Sequence, residues 1–173
     1  MNTESLKKYK NNKMPKKILL IEPLKCKGCL RCELICSFVK GTIFNITISR
    51  IRLLRFTENE IYYPTTCEQC FTPPCKDACP VEAIKIDAET GAITVDEELC
   101  IGCQQCFFAC PLGRVSRVPH SKIPIICDLC GGNPPCVEEC EYDAIKFVNF
   151  DKANNEVRKS RIKNISKLLE LIM

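Results

Sequence analysis

The sequence predicts an α+β fold of short hairpins and short helices, built from one cysteine-rich unit used twice and followed by a C-terminal helix. Three observations predict it. Sixteen of the 173 residues are cysteine, in four groups of four. Groups two and four share a Pro-Pro-Cys insert and a matching tail, Glu82-Ala83-Ile84-Lys85-Ile86 against Asp143-Ala144-Ile145-Lys146-Phe147, while groups one and three share Cys-x-Gly-Cys. Such repetition marks a unit used twice. In residues 156–173, Ile162, Ile165, Leu168, Leu169 and Ile172 recur at three- and four-residue steps, which predicts an amphipathic helix. That helix either packs back on its own domain or offers a face to a partner.

Residues 1–16 read as a disordered basic tail, and Met14 is an alternative start. The N-terminus lacks the apolar stretch of a secretory signal, and no twin-arginine pair precedes the first cysteine group. The longest early apolar run, Ile18 to Ile21, is far too short to span a bilayer and reads as a strand. A cytoplasmic location is expected, where thiols stay reduced and clustered cysteines usually mean metal.

The first group is Cys26, Cys29, Cys32 and Cys36, with Gly28 suited to a tight turn. From Cys32 through Lys40 the pattern is helical, with Gly41 as the expected C-cap. Ile46 to Leu53 alternates and is rich in β-branched residues, predicting a strand, with a turn at Thr57-Glu-Asn-Glu and a return strand at Ile61-Tyr-Tyr. Arg50, Arg52 and Arg55 make either a basic docking face or a solvated strand face. The second group is Cys67, Cys70, Cys75 and Cys79, in which Pro73-Pro74 favours an extended backbone. Val81 to Asp87 then leads through Glu89-Thr-Gly91 to Ala92-Ile-Thr-Val95, a hairpin with its glycine in the turn.

The third group, Cys100-Ile-Gly-Cys103-Gln-Gln-Cys106-Phe-Phe-Ala-Cys110-Pro111, carries the chemistry most plainly. Its spacing, C-x2-C-x2-C-x3-C-P, is the run with which bacterial ferredoxins hold iron–sulfur clusters. Three closely spaced thiolates reach one cubane, and the fourth ligates another. The fourth group is Cys127, Cys130, Cys136 and Cys140. Each repeated unit thus reads as a ferredoxin-like two-cluster module, the bacterial-type 2[4Fe–4S] arrangement, and its duplication gives four [4Fe–4S] clusters in a row. The polyferredoxin part spans residues 17–150.

Several function classes are set aside. Zinc ribbons separate two C-x2-C knuckles by a long loop, unlike the three-then-one spacing seen here. The formal charge of +4 belongs to the unloaded chain. Sixteen thiolates, offset by about +2 per cluster core, bring the loaded chain to about −4, so no nucleic-acid binding is implied. His120, the only histidine, reads as an exposed loop residue. Nothing resembles a P-loop, a dinucleotide-binding glycine motif or a catalytic triad. The chain is expected to carry electrons for a catalytic partner and to catalyse nothing itself. With no tryptophan and a small apolar core, the metal-free chain is expected to be unfolded or molten.

On these motifs the chain resembles the four-cluster iron–sulfur subunits of the dimethyl sulfoxide reductase and formate dehydrogenase type. More closely, it is similar to the small ferredoxin-like subunit that accompanies tungsten aldehyde ferredoxin oxidoreductases. The features are the compact length, Ser49-Arg50-Ile51, the approach Pro64…Cys67-Glu-Gln-Cys70, and Cys127-Asp-Leu-Cys130-Gly, within residues 17–150. The resemblance implies ligands exchanged between groups. One cluster takes Cys26, Cys29, Cys32 and Cys140, and the next Cys127, Cys130, Cys136 and Cys36. A third takes Cys67, Cys70, Cys75 and Cys110, and the last Cys100, Cys103, Cys106 and Cys79. The sequence departs from the pattern in lacking proline after Cys36 and Cys140.

The resemblance implies a tungstopterin or molybdopterin oxidoreductase as partner, with a ferredoxin or a flavin subunit as a further one. Service to a hydrogenase, carbon monoxide dehydrogenase or formate dehydrogenase, or self-assembly into a filament, are the alternatives. Low-potential electron transfer is expected, with Ile101, Phe107 and Phe108 keeping water from the middle clusters. The Lys-, Ile- and Glu-rich composition points to a thermophile.

Overall fold

The computed structural model describes residues 15–56, 60–118 and 121–150. Most of the tail, part of the turn after Phe56, His120 and the helix expected at 156–173 lie outside those residues. The elements are strand β1 (Lys17–Ile21), helix α1 (Arg31–Gly41), strands β2 (Arg52–Phe56) and β3 (Ile61–Thr65), helix α2 (Pro74–Asp77), strands β4 (Ile84–Ile86) and β5 (Ile93–Val95), helix α3 (Gln105–Ala109), strands β6 (Ser116–Arg117) and β7 (Pro124–Ile125), helix α4 (Pro135–Glu138), and strand β8 (Ile145–Asn149). This is a small mixed fold of short strands and short helices.

The strands form antiparallel pairs: β1 with β8, β2 with β3, β4 with β5, and β6 with β7. Three of these pairs join neighbours in sequence. The fourth does not: Lys17 faces Asn149 and Ile21 faces Ile145, so the strand before the first cysteine group pairs with the strand after the fourth. Glu22 reinforces that closure by binding Lys146 at 2.8 Å and Lys25 at 3.2 Å. Helix α1 packs on α4, and α2 on α3.

Local geometry recurs between the related groups. Pro73 and Pro134 are extended (φ −74°, ψ 112° and φ −75°, ψ 109°), and each is followed by a proline that opens a four-residue helix. Proline suits that first helical position because its missing N–H would have no intrahelical partner there. The expected extended Pro-Pro stretch therefore becomes helical at its second proline. Leu30 and Gln104, before α1 and α3, are both left-handed at φ 64°.

Two boundaries differ from the sequence pattern. Ile46–Ile48 is a 3-10 turn, and the strand expected from Ile46 begins only at Arg52. The Asn45 side chain accepts the Thr47 amide at 3.0 Å, and the Arg52 guanidinium takes the carbonyls of Ile46 and Thr47. These local bonds occupy groups that a ladder would need. Helix α1 runs one residue further than expected, and left-handed Thr42, donating its amide to the Phe38 carbonyl at 2.7 Å, closes it in place of Gly41. Because α1 runs on past Cys36, a proline at position 37 would sit inside the helix, which explains Ser37 there. Ser37 is fully buried, and its hydroxyl donates to the Leu34 carbonyl at 2.8 Å and accepts the Asn45 amide at 3.2 Å.

The apolar core is small and threaded with thiols. Ile84, Ile93, Val115 and Ile126 pack with Cys75 and Cys106. Ile51 and Ile145 pack with Cys32, Cys36 and Cys136, and Ala92 and Leu129 pack with Cys127.

Candidate metal centre

Folding brings thiols from distant groups around shared spaces. Cys26, Cys29, Cys32 and Cys140 line one cavity, beside Leu53 and Ile145. Cys36, Cys127, Cys130 and Cys136 line a second, with Arg50 and Asp128 in its wall. Cys79, Cys100, Cys103 and Cys106 line a third, with Ile101 and Lys122. The remaining thiols also neighbour one another: Cys70 and Cys75 both sense Cys110, and Cys67 senses Cys75 and Cys70. Between sets, Cys75 senses Cys106, Cys67 senses Cys127, and Cys136 senses Cys32. Among the described residues, no three His, Cys, Asp or Glu converge tightly enough to hold a single metal ion.

The donors suit a thiolate-ligated, sulfide-bearing group. Burial pushes the Cys32 thiol up to about 12, and the Cys75 and Cys127 thiols up to about 11. Burial likewise raises Cys67 and Cys136. Such thiols stay neutral in the unloaded fold, whereas a coordinating metal deprotonates them and removes the cost. Backbone amides already point at three sulfurs, each the fourth cysteine of its group: Arg50 to Cys36 at 3.3 Å, Ala83 to Cys79 at 3.2 Å, and Arg114 to Cys110 at 3.2 Å. Arg114 adds a further sign. Its Nε is buried without a hydrogen-bond partner, while its guanidinium lies 3.8 Å from Glu68, between Cys67 and Cys70. A buried orphan donor beside a set of thiols fits an acceptor supplied by the group they hold.

Glycine is required at the shared Cys-x-Gly-Cys turns. Gly28 and Gly102 both sit at φ 70°, which L side chains rarely adopt. A Cβ on Gly28 would lie 2.6 Å from the Tyr62 ring, and one on Gly102 would lie 2.7 Å from Lys122 Cβ.

Ile101, Phe107 and Phe108 do not shield an inner site. Ile101 and Phe107 line the third cavity but are 60% and 44% exposed, Phe108 is 79% exposed, and Cys103, like Cys29, is itself exposed. Helix α3 buries only Cys106 and leaves its aromatic neighbours at the surface. Of the arginines read as a docking or strand face, Arg50 turns inward to Asp128 and Arg52 bonds carbonyls of its own loop.

Sequence reasoning missed several supporting residues. Gln69, 3% exposed, donates to the Cys127 carbonyl at 2.7 Å and accepts the Ile93 amide at 2.8 Å. Glu33, 4% exposed, accepts the Leu53 amide at 2.7 Å. Asp128 binds Lys40 and Arg50, which together outweigh the upward push of burial and hold its carboxyl below the usual range. The only advance signal was position: Gln69, Glu33 and Asp128 each lie beside a motif cysteine.

Residues 59–150 match the family model of the 4Fe-4S dicluster domain. The chain belongs to that family. This 4Fe-4S dicluster protein is 48% identical over 134 residues to the polyferredoxin-like subunit of an aliphatic sulfonate oxidoreductase from Pyrococcus furiosus, covering 75% of this chain and 76% of that one. It is 35% identical over 156 residues to a ferredoxin of Methanocaldococcus jannaschii, covering 87% and 93%. Among solved structures, a chain of the BamBC complex of benzoyl coenzyme A reductase aligns at a TM-score of 0.46 and 26% identity, covering 76% of this chain and 75% of that one. The dicluster match takes in cysteine groups two, three and four, and group one precedes it.

Proposed function

We propose that this dicluster protein is the electron-transfer subunit of an oxidoreductase complex, with its sixteen cysteines holding four [4Fe–4S] clusters. The supporting observation is that thiols far apart in sequence surround common cavities in sets of four. The ligand sets are Cys26, Cys29, Cys32 with Cys140; Cys127, Cys130, Cys136 with Cys36; Cys67, Cys70, Cys75 with Cys110; and Cys100, Cys103, Cys106 with Cys79. Bound there, the clusters supply reversible one-electron transfer.

The polypeptide arranges a path. Cys75 beside Cys106, Cys67 beside Cys127, and Cys136 beside Cys32 support a linear order running from the Cys103 end to the Cys29 end. The exposed thiols Cys29 and Cys103 mark the two ends, where partners approach. Gln69 holds the two inner sets together. The amides of Arg50, Ala83 and Arg114 donate to cysteine sulfur and favour the more negative state. The recurring turns and helices support two modules descended from one duplicated unit, with groups one and four in one module and groups two and three in the other. Its setting is the cytoplasm.

The catalytic partner in this proposal is a tungsten or molybdenum pterin oxidoreductase acting on aldehydes. The Pyrococcus relative favours a second reading of the substrate, an aliphatic sulfonate. Purifying the tagged chain anaerobically from its own cell, with whatever stays bound, tests both. About sixteen irons per chain together with tungsten or molybdenum is the expected result. Assaying the bound partner with an aldehyde and with an alkanesulfonate separates the two substrates. Zinc without iron would overturn the cluster reading, and iron with nickel would replace the pterin partner by a hydrogenase or carbon monoxide dehydrogenase.

A further inference from the structure

The cavity lined by Cys36, Cys127, Cys130 and Cys136 has a charged wall that the proposed electron path does not explain. Asp128 follows Cys127, and its carboxylate gathers two cations: Lys40 Nζ at 2.8 Å and an Arg50 guanidinium nitrogen at 2.5 Å. Its other oxygen accepts the Cys130 amide at 3.0 Å. Arg50 lines the cavity and gives its own amide to Cys36 Sγ. The three charged side chains come from separate places: the last turn of α1, the loop before β2, and the turn between Cys127 and Cys130. Their side chains are only 17%, 23% and 25% exposed, so solvent and salt screen them less than surface charges. Arg50 and Asp128 of the lining offset one another, and the Lys40 side chain, which also hydrogen-bonds the Cys130 thiol, leaves the surroundings of this set net positive.

The neighbouring set, Cys26, Cys29, Cys32 and Cys140, has the opposite surroundings. Glu33 is buried beside Cys32, and Glu139 lines the cavity along with Lys27. Arg31 is shared by Glu139 at 3.7 Å and Glu141 at 3.0 Å. Glu139 and Lys27 of the lining offset one another, so the buried Glu33 next to Cys32 leaves the surroundings of this set net negative.

We propose that Lys40, clamped by Asp128, raises the reduction potential of the cluster on Cys36, Cys127, Cys130 and Cys136 above that of its neighbour on Cys26, Cys29, Cys32 and Cys140, making it the place where an electron pauses. The inference rests on the reading that these thiols hold [4Fe–4S] clusters. An electron crossing between the two sites oxidises one by a single electron and reduces the other by the same amount. No bond is made or broken, and no proton moves. The ammonium favours the site with the added negative charge, because opposite charges at close range stabilise one another most where water is excluded. Asp128 offsets part of that charge, and its two contacts fix where the ammonium stands. Lys40 is thus a positioning residue that acts through the field at the thiol set.

An anaerobic redox titration of the full iron-loaded chain, followed by electron paramagnetic resonance, tests this. The wild type is compared with Lys40→Met, Lys40→Gln and Lys40→Arg. Gln is a second neutral variant that keeps a donor to Asp128, and Arg keeps the charge. Both neutral variants are expected to lower one midpoint by about tenfold in the ratio of reduced to oxidised cluster, which is 59 mV for one electron. The other midpoints stay in place, and Lys40→Arg stays near the wild type. Unchanged midpoints in a neutral variant with full iron would overturn the role of Lys40, as would an Arg variant that shifts as far as Met. A wild-type chain that purifies without iron would overturn the cluster reading beneath it, which iron analysis of the same sample reports separately.

Discussion

Replacing Gln69 with methionine keeps a side chain of similar size but removes two buried hydrogen bonds at once. The amide side chain donates to the Cys127 carbonyl at 2.7 Å and accepts the Ile93 amide at 2.8 Å. Both backbone partners are buried, Ile93 at 1% and Cys127 at 8% exposure, so water does not replace what is lost. A stranded buried backbone group costs about 1–3 kcal/mol, so two of them cost about 4 kcal/mol at the centre of that range. If that loss falls on the unfolding step, unfolding accelerates by about three orders of magnitude. Decay of the visible iron–sulfur absorbance in denaturant, under argon, reads that rate. Gln69→Ala should lose slightly more, because it adds a cavity to the broken bonds. A Gln69→Met variant that bleaches as slowly as the wild type, at equal iron content, would refute the idea that these bonds tie the second cysteine group to the fourth.

Four further outcomes are expected. Cys106→Ser should lose about four irons per chain by elemental analysis, and unchanged iron would contradict its assignment as a ligand. Cys110→Ser should disturb the cluster of Cys67, Cys70 and Cys75 and leave that of Cys100, Cys103 and Cys106 intact, which resonance spectra of the two variants would distinguish. Gly28→Ala should lower thermal stability by at least the cost of a left-handed alanine, about 1 kcal/mol, and part of the loss should return in a Gly28→Ala, Tyr62→Ala double variant, since the new methyl strikes the Tyr62 ring. Iron removal by a chelator under reducing conditions should collapse the fold, seen as loss of the near-ultraviolet circular dichroism; a native-like spectrum without iron would show that the small apolar core suffices.

Local features were readable in the residues because their causes lie within a few positions. Strands β4 and β5 meet across Gly91, which takes φ 74°, so the hairpin was legible from its turn. The helix after Cys32 was legible to within one residue at its C-terminal end, and the glycine turns needed no tertiary information. The strand expected from Ile46 failed because β-branched alternation was outweighed by Asn45 and Arg52, which bond that backbone locally. The shielding expected of Ile101, Phe107 and Phe108 failed for a different reason. Apolar character says that a side chain favours burial, but not whether the fold has a neighbour to cover it.

The sequence by itself determined the chemistry: sixteen thiols in four groups at a spacing characteristic of iron–sulfur ligation, with groups two and four, and groups one and three, sharing local sequence. Spacing can do this because ligand reach is set by a few covalent bonds. Only the tertiary structure decided that β1 closes on β8, that Gln69 of the second group holds the backbone of the fourth, and that Lys40, Arg50 and Asp128 meet at one cavity wall. Those partners are chosen by packing among many surfaces at once, with Lys40 and Asp128 separated by 88 positions. No periodicity records such a choice, because an ion pair stabilises a fold only after the chain has brought its two ends together.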